Sequence, residues 1–138
     1  MSTVQAKPLP VPDTVNAPYF EGLGAGELRI QKCRSCGHRQ YYPRPFCLAC
    51  MSTDVHFEKD SGRGTLYAFT IARVHYNKAF AADLPIVVAL IELADGVRIL
   101  STLTGIAPDP AVIKIGMALE VAFDRVSDTV TLPRFRPG

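Results

Sequence analysis

No apolar stretch of this 138-residue chain approaches the length needed to cross a bilayer. The longest, Pro85-Ile86-Val87-Val88-Ala89-Leu90-Ile91, is strand-sized and stops at Glu92. The N-terminus lacks a charged segment followed by an apolar core, so the expectation is a soluble, cytoplasmic protein with no membrane partner. Charge of one sign is also scarce. Fifteen Lys and Arg against thirteen Asp and Glu give a net +2, too weak a balance to argue for nucleic acid by itself. Missing too are a nucleophile elbow with Ser, His and Asp in order, a P-loop, a dinucleotide fingerprint and a recognisable carboxylate pair. The three histidines, His38, His56 and His75, stand apart, and each reads first as a surface or structural residue. On these absences the chain is not expected to catalyse a reaction alone.

What is present reads as a globular, mainly β protein: 48% of residues are hydrophobic and 20% charged. The first twelve residues, with three prolines, suggest a flexible or extended arm. Asp13 or Asn16 is placed to cap a short helix through Ala17–Leu23, with Pro18 in its first turn. The alternation over Glu27–Lys32 predicts a strand leading into the first cysteine. Phe57–Ser61 reads as a link, and Gly62-Arg63-Gly64 as a turn. Thr65–Val74 and Ile86–Leu93 are strands with two apolar faces, so a barrel buries one face and the other must meet helix, ribbon or a partner. His75–Leu84 between them reads as an exposed loop. Asp95-Gly96 predicts a tight hairpin with a type I′ turn into Val97–Thr102. Met117–Phe123 and Thr129–Leu132, ending at Pro133, complete a small OB-like barrel.

All four cysteines fall in two C-x-x-C pairs separated by ten residues, Cys33/Cys36 and Cys47/Cys50. Two such knuckles converge four sulfurs on one point, the tetrahedral set that zinc favours. The pattern predicts a rubredoxin-like zinc ribbon holding one structural Zn2+, with Gly37 relaxing the backbone after the first pair. Iron fits the same four ligands. Disulfides run against the compartment reading, and a thioredoxin-like redox pair lacks its βαβ context. Tyr41, Tyr42, Pro43, Pro45 and Phe46 between the pairs read as a mini-core of the ribbon, a docking surface, or some of each. The division that follows is an arm and short helix over 1–30, the ribbon over 31–58 and the barrel over 59–138.

An ordered set of segments resembles one family. Ala17-Pro18-Tyr19-Phe20-Glu21-Gly22-Leu23, Gly26-Glu27-Leu28 and Cys33-Arg34-Ser35-Cys36-Gly37 are similar to the opening of the zinc-ribbon/OB-fold proteins associated with thiolases. Tyr42–Cys47, Gly62–Tyr67, Pro85–Leu93 and Leu132–Pro137 continue the likeness, which runs from about Ala17 to Pro137. The resemblance implies an accessory subunit that binds thiolases, or lipid-transfer-protein-like thiolases and aldolases, in a hetero-oligomer of acyl-CoA metabolism. It implies stabilisation of the catalytic partner and a shared acyl-CoA. Coenzyme A is anionic at its nucleotide end, so Arg34, His38, Arg39 and Arg44 of the ribbon and Arg63 beside the barrel are the candidate contacts. The competing reading is a module for single-stranded nucleic acid, since OB barrels and ribbons both serve that purpose. Modest net charge and apolar strands weigh against it.

Overall fold

The computed structural model describes residues 7–138. Residues 1–6 of the expected arm lie outside the described residues. From Lys7 to Pro12 the chain has no regular structure and is largely exposed. Asp13 and Asn16 then lock one another: Asn16 Oδ1 accepts the Asp13 N–H, and Asp13 Oδ1 accepts the N–H groups of Val15 and Asn16. Helix α1 (Ala17–Gly24) starts from Asn16, whose side chain is spent on this turn rather than on a helix cap. The helix buries Tyr19, Phe20, Gly22 and Leu23.

Strand β1 (Leu28–Cys33) follows, with β2 (Arg39–Gln40) on one side and β3 (Val55–Asp60) on the other. The expected link at Phe57–Ser61 is therefore mostly strand. Its residues show no strand periodicity, but six-residue antiparallel pairing from Leu28↔Asp60 to Cys33↔Val55 satisfies their backbone groups. This small sheet runs across positions 30/31 and 58/59.

The expected turn at Gly62-Arg63-Gly64 also divides in two. Gly62 has φ +74 and turns the chain, whereas β4 already begins at Arg63 and runs to Ala72. Gly64 lies within the sheet, opposite both Leu93 and Leu119. A short 3-10 helix (Lys78–Asp83), opened by Asn77 accepting the Ala79 N–H, occupies the exposed connection to β5 (Ile86–Leu93). The β5–β6 hairpin forms where expected, but not with a type I′ turn. Ala94–Gly96 make a single 3-10 turn, Gly96 has φ +76, and Leu93 N–H bonds Val97 O at 2.7 Å before β6 (Arg98–Thr102). Strand β7 (Ala118–Arg125) pairs with β8 (Thr131–Pro137). The last strand thus runs through Pro133 rather than ending there; Pro133 keeps a free carbonyl, which accepts the Ser101 hydroxyl.

The five strands lie in the order β6-β5-β4-β7-β8, and a parallel bridge between Leu103 and Phe135 nearly closes the ring as an OB-fold barrel. One hydrophobic cluster fills it, from Leu66, Ile91, Ile99 and Leu119 to Phe135. Tyr19, Phe20 and Leu23 of α1 and Leu28 and Ile30 of β1 belong to the same cluster, so helix and ribbon are built onto the barrel's core. Among the described residues no helix is long and apolar enough to cross a membrane.

Candidate metal centre and its surroundings

Strand β1 delivers Cys33 at its end, and two matching turns bring the other cysteines to it. In the first, Gly37 N–H donates to Cys33 O (2.9 Å) and Cys33 N–H to His38 O (2.9 Å). In the second, Met51 N–H donates to Cys47 O (2.9 Å) and Cys47 N–H to Ser52 O (2.8 Å). Both need a left-handed residue after the second cysteine: Gly37 at φ +78, and Met51 at φ +67. Glycine takes that conformation freely, while methionine bears a steric cost there and leaves no sequence signal. The Ser35 and Ser52 hydroxyls meet at 2.9 Å and tie the two knuckles together.

The four sulfurs all lie within 4.8 Å of one another, with Cys33–Cys50 and Cys36–Cys47 at 3.6 Å. All four thiols are free; Cys33 and Cys47 are buried, Cys36 and Cys50 exposed. Four thiolates about 2.3 Å from a central ion stand about 3.8 Å apart, so the cage fits a tetrahedral metal. Their proton affinities point the same way. The Cys36 N–H favours the Cys33 thiolate and brings that group down to about 6 despite burial. Cys50, although Ser52 N–H favours its thiolate, is pushed up to about 12 by the neighbouring Cys36 and by partial desolvation of its sulfur. Thiols this crowded cannot all ionise unless a cation neutralises them.

Below the cage two buried glutamines hold the loop that carries the second pair. Gln31 on β1 and Gln40 on β2 lie in register, and Gln40 Nε2 donates to Gln31 Oε1 at 2.8 Å. Gln31 also brackets Arg44, accepting its N–H (2.9 Å) and donating to its carbonyl (2.7 Å). Gln40 donates to Phe46 O (3.0 Å) and accepts Leu48 N–H (3.0 Å). Sequence reasoning missed both residues, because the alternation of β1 puts Gln31 on its polar face with Arg29 and Gln40 follows no pattern of its own.

Residues 20–56 match the family model described as ChsH2, rubredoxin-like zinc ribbon domain, and residues 59–124 match that of the ChsH2, C-terminal OB-fold domain. This chain belongs to the ChsH2/DUF35 family. A probable enoyl-CoA hydratase alpha subunit of Thermomonospora curvata is 37% identical over 96% of this chain. A 3-oxo-4,17-pregnadiene-20-carboxyl-CoA hydratase alpha subunit of Mycobacterium tuberculosis is 35% identical over 76%. The chain spans only 40% and 32% of the length of these two relatives. A DUF35 domain-containing scaffold protein of Methanocaldococcus jannaschii is 32% identical, with 70% of this chain and 67% of that protein covered. Among solved structures, a chain of the Ltp2-ChsH2(DUF35) aldolase is 36% identical with a TM-score of 0.81, covering 94% of this chain and 98% of that one.

Within this ChsH2/DUF35 chain the four cysteines cluster as a zinc-ribbon site. The five candidate anion contacts do not gather in one place. His38 and Arg39 line a cleft of about 360 Å3 with Lys32, Gly37, Gly96 and Val97, where the ribbon meets the β5–β6 turn. Arg39 is partly committed inward, with Nη2 on Asp60 Oδ1 at 2.8 Å. Arg34, Arg44 and Arg63 are exposed and lie outside that lining; Arg34 pairs with Asp54 at 3.0 Å. The ring-bearing loop is no self-contained mini-core. Tyr41 and Tyr42 pack edge-on against Tyr19 of α1, with centroids 5.9 and 6.0 Å away, and Asn16 Nδ2 donates to the Tyr42 hydroxyl at 3.1 Å. Burial, with Tyr41 beside it, holds the Tyr19 phenol protonated well above its ordinary range.

Proposed function

We propose that this chain is a non-catalytic accessory subunit of an acyl-CoA enzyme. It pairs with a thiolase-like catalytic subunit in a cytoplasmic hetero-oligomer, stabilises that partner and shares its CoA ester. The observation that carries this reading is the nearly end-to-end match to a chain of the Ltp2-ChsH2(DUF35) aldolase. Scaffold proteins among the relatives support it. One structural Zn2+ held by Cys33, Cys36, Cys47 and Cys50 keeps the ribbon (31–58) folded between the arm and helix (1–30) and the barrel (59–138). With four thiolates bound, the ion has no open position for substrate.

Of the candidate CoA contacts, His38 and Arg39 share one cleft with Lys32, and together the three make a donor set suited to phosphate oxygens. Arg34, Arg44 and Arg63 join the reading as exposed cations that a partner-bound CoA can reach.

The test is co-expression of the tagged chain with thiolase-like proteins encoded near it. A stoichiometric complex whose thiolytic or aldol activity needs both chains, with one zinc per copy by elemental analysis, is expected. Recovery of the chain alone, or with nucleic acid released by salt, refutes the subunit reading. Iron in place of zinc corrects only the metal. Within a complex, charge-removing substitutions at the true CoA contacts weaken acyl-CoA binding and leave assembly intact.

A further inference from the structure

Strand β4 leaves part of one edge unpaired. Strand β7 accompanies it only from Arg63 to Thr65. The last bonds on that side are Leu66 N–H to Met117 O (3.0 Å) and Gly116 N–H to Leu66 O (2.7 Å). A bulge at Tyr67 follows, between Leu66 and Ala68. Bulges bend and twist the strand that carries them, and this one falls where the pairing to that side stops. On the other side β5 stays paired as far as Ala72↔Ile86.

The register decides which backbone groups are left over. Leu103 N–H donates to Val87 O at 3.0 Å, so Val87 turns its N–H and C=O toward β6. Antiparallel ladders alternate, so Val88 and Leu90 face β4 while Val87 and Ala89 face away from it. Thr70 and Ala68 oppose the first two and are bonded to β5; Ile71 and Phe69 oppose the second two. Phe69 and Ile71 therefore aim their N–H and C=O groups out of the open edge. Among the described residues none of these groups meets a hydrogen-bond partner. The two side chains pack against the barrel core, which holds the strand in place, while Ala68 and Thr70 are exposed.

Open edges are commonly blunted by charge or proline. From Gly64 to Ala72, β4 has neither. Charge stands only at the two ends: Arg73 at one, and Lys114, two residues before the Gly116 that bonds Leu66, at the other. Both are exposed, and among the described residues neither pairs with a carboxylate. A second copy brings the same cations with it, so the complement is an uncharged strand with an acid at each end.

We propose that this edge accepts one added strand, an extended segment of the catalytic partner that is β-branched in the middle and acidic at both ends. Main-chain hydrogen bonds to Phe69 and Ile71 supply the affinity, and Arg73 and Lys114 set the register. Naming the catalytic subunit as the source rests on the accessory-subunit reading; the open edge does not.

The experiment follows amide hydrogen exchange by NMR in the full zinc-loaded chain. The probe is the blocked peptide Glu-Thr-Val-Thr-Val-Thr-Glu, followed by the co-expressed catalytic subunit. Peptide at millimolar concentration is expected to slow exchange at Phe69 and Ile71 about tenfold or more, and to leave Ala68 and Thr70 as they were. The same peptide with every internal nitrogen methylated binds about tenfold more weakly. Arg73→Glu weakens binding about fivefold, and a peptide with lysine at both ends restores it in that variant. In the complex the Phe69 and Ile71 amides are protected as well. Failure of a complex to form refutes the accessory-subunit reading alone, and the peptide then decides the edge. Unchanged exchange at Phe69 and Ile71 with peptide or in a formed complex, or equal binding of the methylated peptide, overturns the proposal. Protection that grows with protein concentration without peptide overturns it too, in favour of a second copy.

Discussion

Replacing Gln40 by leucine preserves side-chain bulk and removes three hydrogen bonds at once. Gln31 Oε1, the Phe46 carbonyl and the Leu48 N–H each lose a partner, all beneath the loop that brings Cys47 and Cys50 to the cage. An unpaired buried polar group costs about 1–3 kcal/mol. Groups in one network do not add in full, and the loop can admit some water, so the expected loss is about 3 kcal/mol. Because ordering of this loop is linked to metal binding, that loss appears as roughly hundredfold weaker zinc affinity. Competition against a calibrated chelator measures it, with thermal unfolding of the zinc-loaded chain as a second readout. Gln31→Leu behaves alike, since Gln31 Oε1 accepts from both Gln40 and the Arg44 N–H. The double variant costs less than the two singles combined, because they share one bond. Unchanged zinc affinity and an unchanged melting temperature in Gln40→Leu would refute the claim that the glutamine pair orders the cage.

Gly64→Ala places a Cβ 2.5 Å from the Glu92 carbonyl oxygen, which the β4–β5 ladder holds in place. A net loss of about 2 kcal/mol is expected in urea unfolding; a neutral substitution would mean that the ladder yields at this point. Asp60 is buried between Arg39 and the Gly62 N–H, at 2.8 and 2.9 Å. Asp60→Ala therefore destabilises by about 3 kcal/mol, and Asp60→Asn, which keeps an acceptor for Gly62, by less, as a comparison of denaturant midpoints reveals. His56 Nε2 lies 2.9 Å from Glu58 Oε1, and this hydrogen bond holds the Glu58 carboxyl below its ordinary value. A carboxyl lowered by folding contributes stability above its unfolded pKa, and that contribution is lost as pH falls through the folded value. The pair is solvent-facing and its effect on stability small; NMR titration should show the Glu58 midpoint rising in His56→Leu, and an unmoved midpoint would discard the assignment.

Where sequence and fold part company, long-range pairing is the reason. The arm of the ribbon sheet at Val55–Asp60 shows no strand alternation, and it is a strand because β1 lies alongside and takes its backbone groups. Gly64 reads as a turn glycine beside Gly62, yet it is needed for the close approach of β5 rather than for its backbone angles. The hairpin at Asp95-Gly96 was legible as a reversal, but its 3-10 form follows from how Leu93 and Val97 are paired. Met51 leaves no trace in the sequence as a left-handed residue, because only its place in the second knuckle demands that conformation.

The four cysteines, their spacing and Gly37 determine by themselves that the chain builds one four-thiolate cage, since C-x-x-C spacing is local geometry. The apolar strand-length runs at Thr65–Val74 and Ile86–Leu93 and the turn glycines likewise make a small barrel readable without coordinates. Only the tertiary structure decides what surrounds these elements. It sets Gln31 and Gln40 under the cage, turns Arg39 onto Asp60, and seats Tyr41 and Tyr42 against the helix. Each of these contacts joins residues from different elements, and chain closure over such distances depends on the whole core rather than on any local pattern.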